Sequence, residues 1–166
     1  RRLIVTAGES KSIRFWGFGW LGTSLKATVD SHADSIFSLS FSPDGKQVAA
    51  VGLDRQVVIW DALTPSENTA IVLTGHTSNL RHVQFLPVGR ELISVGDNGE
   101  VLVWDVGAAR VIREFNLDLS MAYCMGMTSD GRQLVAGYSS GQIAFFDLAA
   151  ARKSSPLAAA TVVGAR

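Results

Sequence analysis

Trp16, Trp60 and Trp104 stand 44 residues apart, and Phe146 follows the last of them after 42. Nothing else in the chain restricts its fold so strongly, because several residue types keep the same register. Gly8, Gly52 and Gly96 recur at 44; Phe41, Phe85 and Met127 recur at 44 and 42, as do Gly45, Gly89 and Gly131. His32 and His76 are 44 apart, and Asp118 holds the next equivalent position. The last interval is shorter by two at each position, which marks a deletion in that repeat. A chain with such a period builds one unit several times over and obtains its core by stacking the copies.

Within the repeats the apolar runs are short. Residues 3–7, 13–16, 36–41, 48–51, 57–60, 80–85, 92–95 and 101–104 are rich in Val, Ile and Phe and are bounded by glycine or charge, which is the pattern of strands. No window of eleven or more residues keeps a 3.6-residue apolar period, so the expected class is all-β. Ser42-Pro43-Asp44-Gly45 is a strong turn signal, with proline presetting φ and glycine closing the turn. Leu86-Pro87-Val88-Gly89 and Thr128-Ser129-Asp130-Gly131 are altered versions of it. Asp97-Asn98-Gly99 and Ser139-Ser140-Gly141 sit between strand pairs, where hairpins need residues tolerant of positive φ.

Each repeat thus holds about four strands, in the second repeat over 36–41, 47–51, 57–60 and 70–74. A tandem four-stranded unit of this length is one blade of a β-propeller. The expected division is a partial blade of three strands at 1–31, blades at 32–75 and 76–117, and a degenerate blade at 118–166, about three and three-quarter blades of one propeller. Residues 149–156 are expected to be a flexible loop joining the last two strands. Residues 161–165 repeat the approach to a further unit seen at 72–76. An open arc exposes strand edges and an apolar face, so the expectation is a larger ring of seven or eight blades, closed by remaining blades of the same polypeptide or by a second copy.

The bulk composition removes several functions. Fifteen basic residues balance fifteen acidic ones, and the arginines and lysines are scattered, so no nucleic-acid stripe or membrane-surface patch is expected. The longest uncharged stretch, residues 133–146, contains glycines, serines and glutamine and is too short and polar for a membrane span. Cys124 is the one cysteine; it suits a reducing compartment, supplies no disulfide, and is expected to be inert core in the strand at 122–127.

His32, the turn at 42–45, Asp54 and Trp60-Asp61 resemble one WD repeat. Gly75-His76, Asp97-Asn98-Gly99 and Trp104-Asp105 resemble the next. Phe146-Asp147 is a weaker third, and residues 13–17 resemble the end of an earlier repeat with Gly17 in place of the aspartate. The resemblance to the WD-repeat family covers almost the whole chain and implies a buried hydrogen-bonded set of histidine, hydroxyl, acid and tryptophan. Tryptophan N–H only donates, carboxylate only accepts, and histidine bridges. His32, Asp54 and Trp60 match in the second repeat, where Ala50 stands at the hydroxyl position. His76, Ser94, Trp104 and either Asp97 or Asn98 match in the third. The fourth has Asp118 and Phe146 and is expected to rest on packing alone.

A catalytic reading of these His, Ser and Asp residues fails on their periodicity, since an active site occurs once. No nucleophile elbow, His-Glu-x-x-His, phosphate loop or dinucleotide fingerprint is present. No cofactor or metal is expected. Met125 and Met127 are expected to replace Leu39 and Phe41 as core filler.

The resemblance places partner contacts on the narrow face of the propeller, where the residue after the first apolar position of each innermost strand projects. Those residues are Phe37, Arg81 and Tyr123, with Leu53, Asp97, Tyr138 and Ser139 nearby. Trp20 falls outside the repeat register and is a candidate exposed anchor. Arginine two residues after Trp-Asp, a mark of propellers serving cullin-type ubiquitin ligases, is absent, since Leu63 and Gly107 stand there. The expected function is a non-catalytic, intracellular and cytoplasmic scaffold binding other proteins in a complex. The alternative is a sensor or substrate-recruiting domain of a larger multi-domain enzyme or regulator.

Overall fold

The computed structural model describes residues 2–20, 22–30, 32–87, 90–116, 121–148 and 160–163. Asp118, Gly89 and the loop expected at 149–156 lie outside the described residues.

Each repeat forms one antiparallel meander. The first sheet has three strands in the order β1 (Arg2–Thr6), β2 (Ile13–Gly19) and β3 (Gly22–Val29). The second runs β4 (Ile36–Phe41), β5 (Gln47–Gly52), β6 (Val57–Asp61) and β7 (Ile71–Leu73). The third runs β8 (Leu80–Phe85), β9 (Glu91–Gly96), β10 (Val101–Asp105) and β11 (Arg110–Phe115). The fourth runs β12 (Ala122–Met127), β13 (Gln133–Tyr138), β14 (Ile143–Asp147) and β15 (Ala160–Val163). One three-residue 3₁₀ turn, Glu67–Thr69, is the helical element among the described residues. The 44-residue spacing becomes one cross-strand register: Ile4 pairs with Trp16, Val48 with Trp60, Leu92 with Trp104 and Leu134 with Phe146.

Successive side chains of a strand point to opposite faces, and the middle sheets are covered on both. Val48, Ala50, Val58 and Trp60 pack with Ile13, Phe15 and Val29 of the first sheet. Ala49, Val51, Val57 and Ile59 pack with Leu80, Leu92 and Trp104 of the third. Ile93, Val95, Val101 and Val103 pack with Leu134, Ala136, Ala144 and Phe146 of the fourth. This two-sided burial explains why β5, β6, β9 and β10 read as unbroken apolar runs.

The innermost strands of neighbouring sheets are tied by side chains, two of them at one repeating position. Ser38 Oγ accepts from the Val83 N–H at 3.3 Å, and Ser40 Oγ from the Phe85 N–H at 3.0 Å. His82, equivalent to Ser38, donates from Nε2 to the Tyr123 carbonyl at 2.9 Å. Cys124 takes this position in β12. It is exposed, so the expected core role does not hold, because no described sheet covers that side of β12. Met125 and Met127 pack against the core of the third and fourth sheets as expected.

The turn at 42–45 forms as read. The Gly45 N–H reaches the Ser42 carbonyl at 2.8 Å, and Ser42 Oγ donates to Asp44 Oδ1 at 2.7 Å. Thr128 and Asp130 reproduce the pair at 2.7 Å, with Gly131 at φ 68° closing that turn.

Candidate functional site

Two features frame the site, a buried polar set expected to be structural and a face expected to bind partners. The set is complete in the third sheet. Trp104 Nε1 donates to Ser94 Oγ at 2.7 Å, Ser94 Oγ donates to His76 Nε2 at 2.6 Å, and His76 Nδ1 donates to Glu100 Oε2 at 2.6 Å. Each direction follows from its neighbour, since the indole can only donate and the carboxylate can only accept. His76, Ser94 and Glu100 are all buried. Burial lowers the His76 pKa against the opposing pull of Glu100, and protonating Nε2 would remove the acceptor that Ser94 needs. His76 is therefore neutral at pH 7.

The acid on His76 is thus Glu100, a correction to the expectation of Asp97 or Asn98. Asn98 does occupy the turn position of Asp54: its Oδ1 accepts the Glu100 N–H at 3.2 Å, as Asp54 Oδ1 accepts the Gln56 N–H at 3.3 Å. Being an amide, Asn98 instead engages Ser78 and Thr77, and the carboxylate two residues on reaches the histidine. Glu100 was legible only as an acid where the other repeats place Gln56 and Gln142. Asp97 lies at the rim, where Arg81 Nε donates to its Oδ1 at 2.5 Å.

In the second sheet His32 Nδ1 donates to Asp54 Oδ2 at 2.7 Å, and the His32 ring lies 5.8 Å from that of Trp60. Burial again lowers the histidine pKa against the pull of the acid. Ala50 stands where Ser94 stands in the next sheet, and His32 Nε2 is buried with no hydrogen-bond partner. A buried unsatisfied group costs about 1–3 kcal/mol. The substitution Ala50→Ser supplies the missing hydroxyl and is expected to raise unfolding stability by about 1 kcal/mol. Urea denaturation reads this directly, and an unchanged or lower midpoint would contradict it. The first sheet keeps half of the set, with Trp16 Nε1 donating to Thr6 Oγ1 at 2.9 Å; sequence reading missed Thr6, although it holds the register of Ser94.

The face above this set is built by three β-bulges. Strand register shifts between Ile36 and Ser38, between Leu80 and His82, and between Ala122 and Cys124. The skipped residues are Phe37, Arg81 and Tyr123. A bulge leaves its extra residue out of the ladder and re-aims its side chain. Phe37 and Tyr123 are exposed, and the Arg81 guanidinium lies 4.5 Å from the centre of the Phe37 ring. Arg81 is held between that ring and Asp97, so the three bulges present two aromatic side chains and one cation.

The other face residues divide. Leu53 is half-buried at the rim, its N–H donating to the Ser35 carbonyl at 3.0 Å. Tyr138 is not on the surface; it is 5% exposed and packed with the core between the third and fourth sheets. It occupies the register of Gly52 and Gly96, and its ring turns inward. Its hydroxyl is buried with no partner, and burial pushes its pKa up to about 12. Trp20 is fully exposed on the β2–β3 hairpin, at the far end of its sheet from this face. Among the described residues no three His, Cys, Asp or Glu side chains gather where they could hold a metal ion, and no helix is long and apolar enough to cross a membrane.

Comparison with known proteins agrees with this geometry. The family model described as "WD domain, G-beta repeat" matches residues 23–61 and 67–105. The chain is 36% identical over 61 residues to "Probable cytosolic iron-sulfur protein assembly protein Ciao1" of Culex quinquefasciatus, covering 36% of this chain and 18% of that protein. It is 31% identical over 64 residues to "Transcriptional corepressor LEUNIG_HOMOLOG" of Arabidopsis thaliana, covering 39% of this chain and 8% of that protein. The aligned stretches span less than a fifth of either relative's length.

Proposed function

The chain is a WD-repeat protein of the β-propeller type, and from that premise we propose that it is a non-catalytic scaffold that binds other proteins through the ridge formed by Phe37, Arg81 and Tyr123. WD-repeat domains generally mediate protein–protein interaction and are typically non-catalytic. One relative is named as an assembly protein and the other as a corepressor, neither of them an enzyme's name. The observation that carries the reading is the recurrence of the bulge: each innermost strand of the last three sheets gives up one ladder position to project one side chain on the same face. Aromatics and arginine are the types that dominate binding energy at interfaces. The buried histidine sets lie beneath this face, closed to substrate, and hold its turns in place. Cytoplasmic location is part of the proposal and is supported by the cytosolic relative.

Ring completion is a further part. Ile143 and Phe145 are each 43% exposed, whereas Val57, Ile59, Val101 and Val103 at the same register are at most 1% exposed. The difference is the neighbouring sheet that covers the latter. The uncovered faces of the first and fourth sheets are therefore those against which more blades pack, to a total of seven or eight, from the same polypeptide or a second copy.

The triple variant Phe37→Ala, Arg81→Ala, Tyr123→Ala tests the ridge in the native polypeptide. All three side chains stand outside the ladder, so the fold is expected to survive, while affinity for the proteins that co-purify with the native form falls by about a hundredfold or more. Undiminished binding would remove this surface from the proposal. A second reading, a recruiting domain within a larger protein, is supported by the small fraction of each relative that the match spans. It requires a separate catalytic or regulatory domain on the same polypeptide, which the intact mass under denaturing conditions would reveal.

A further inference from the structure

The repeat departs from its own pattern at Gly17. Asp61 and Asp105 follow Trp60 and Trp104, and each caps the turn that leaves its strand. Asp61 Oδ1 accepts the Leu63 and Thr64 N–H groups, both at 2.8 Å, and Asp105 Oδ1 accepts that of Ala108 at 3.0 Å. After Trp16 the chain has a glycine, with no side chain to accept. β2 then runs for seven residues where β6 and β10 run for five, and its ladder with β3 continues to the Gly19–Gly22 pair. The longer hairpin carries Phe18 and Trp20 outward, and both are exposed.

An open groove of about 790 Å³ lies between this hairpin and the connection after β6. Phe18, Trp20 and Lys26 line one side, and Leu63 and Pro65 the other. Among the described residues Lys26 is the one charged residue in the lining, and no acid lines it. Gly17 shapes this arrangement too: a Cβ there would lie 2.4 Å from Lys26 Cε, so the lysine stem lies across the glycine. A lysine can cover apolar surface with its stem and keep its charge for a ligand.

We propose that this groove docks a linear segment of another protein, which packs an apolar side chain against Trp20 and pairs a carboxylate with Lys26. Lys26 selects the carboxylate, since the described lining residues offer a cation and no competing acid. The exposed tryptophan selects the apolar contact, because tryptophan is among the strongest interface anchors. The groove is at the opposite end of the sheets from the Phe37–Arg81–Tyr123 ridge and does not depend on it.

The test is panning of a phage-displayed random dodecapeptide library on the native polypeptide, followed by anisotropy measurements with the best fluorescein-labelled peptide. Enriched peptides are expected to carry Asp or Glu close to Leu, Phe or Trp. Their affinity should fall about tenfold or more in Trp20→Ala, Lys26→Gln and Gly17→Asp. The last variant offers Lys26 an internal carboxylate. Lys26→Arg should retain binding, as should Phe37→Ala, which separates this site from the ridge. Failure to enrich any peptide, enrichment without an acid, or binding indifferent to Trp20→Ala and Gly17→Asp would overturn the proposal. So would a self-associated form of the native polypeptide that Trp20→Ala dissociates, because the occupant would then be a second copy.

Discussion

Replacing His76 with leucine is expected to destabilise the protein by about 3–5 kcal/mol, the range for removing one partner from a buried charged group. Leucine fills much of the ring's volume but strands the Glu100 carboxylate, whose side chain is 7% exposed, and takes the acceptor from Ser94. Removing Ser94 instead, as Ser94→Ala, leaves two neutral groups unmatched and should cost about 1–3 kcal/mol. The wild-type protein carries a matching pH signature. Burial places the folded-state pKa of both His32 and His76 below the ordinary value of 6.5. The unfolded chain therefore takes up protons first as pH falls, and stability rises with pH in that window. Stability is complete above about pH 6.5 and declines below it, by at most about 1.4 kcal/mol per pH unit for each histidine. Asp44, Asp61 and Asp130, whose carboxyls are held low by hydrogen bonds, contribute in a separate window, lost below about pH 4. Urea unfolding from pH 7.5 to 5 reads the histidine window, and its extension to pH 3 reads the carboxylate window. His76→Leu should lower stability at pH 7.5 and also flatten the slope. A slope unchanged in the variant would mean that folding leaves the His76 pKa where it is in the unfolded chain, and a steeper one that His76 is protonated in the folded protein.

Gly52→Ala is the second large effect, an expected loss of about 3 kcal/mol, at the upper end of overpacking costs. A Cβ at this position would stand 2.0 Å from the Ser35 carbonyl oxygen. That oxygen accepts the Leu53 N–H, so backbone must move and a turn contact beside Phe37 is disturbed. The same substitution at Gly96 meets Ser78 Oγ at 2.6 Å, a side chain that can rotate away, and should cost about 1 kcal/mol. Gly126 has nothing within 4 Å of such a Cβ and is the neutral control. Equal losses at Gly52 and Gly126 would show that the close approach to Ser35 is not the cause. Calorimetry on the three variants distinguishes these outcomes.

Much of the architecture was legible because a repeat is a statement about register. Trp16, Trp60, Trp104 and Phe146 each face the equivalent residue of the preceding strand, and the turn at 42–45 follows from proline and glycine dihedrals that act within four residues. His32, Asp54 and Trp60 could be matched through the resemblance to the WD-repeat family, whose buried set implies them. The choice between acids at His76 could not. Asp97, Asn98 and Glu100 lie within four residues of one another, and which one reaches the imidazole depends on how the turn is seated against Thr77 and Ser78. Tyr138 shows the same limit. Its register was readable, but its direction depends on the neighbouring sheet that receives the ring. Cys124 was misplaced for the converse reason: its strand reads as core, and exposure there depends on what covers that side.

By itself the sequence determined what depends on spacing along the chain: the all-β class, four successive meanders, the strand register and the turn chemistry. Only the tertiary structure decided what depends on stacking one sheet beside another. Glu100 closes the set at His76, Ser38 and His82 tie neighbouring inner strands, and Tyr138 turns inward. The loss of an aspartate at Gly17 lengthens a hairpin and opens a groove against the next sheet. A period describes a unit and its copies, whereas the surface between two copies is made by side chains that are distant in sequence and meet only once the sheets are packed.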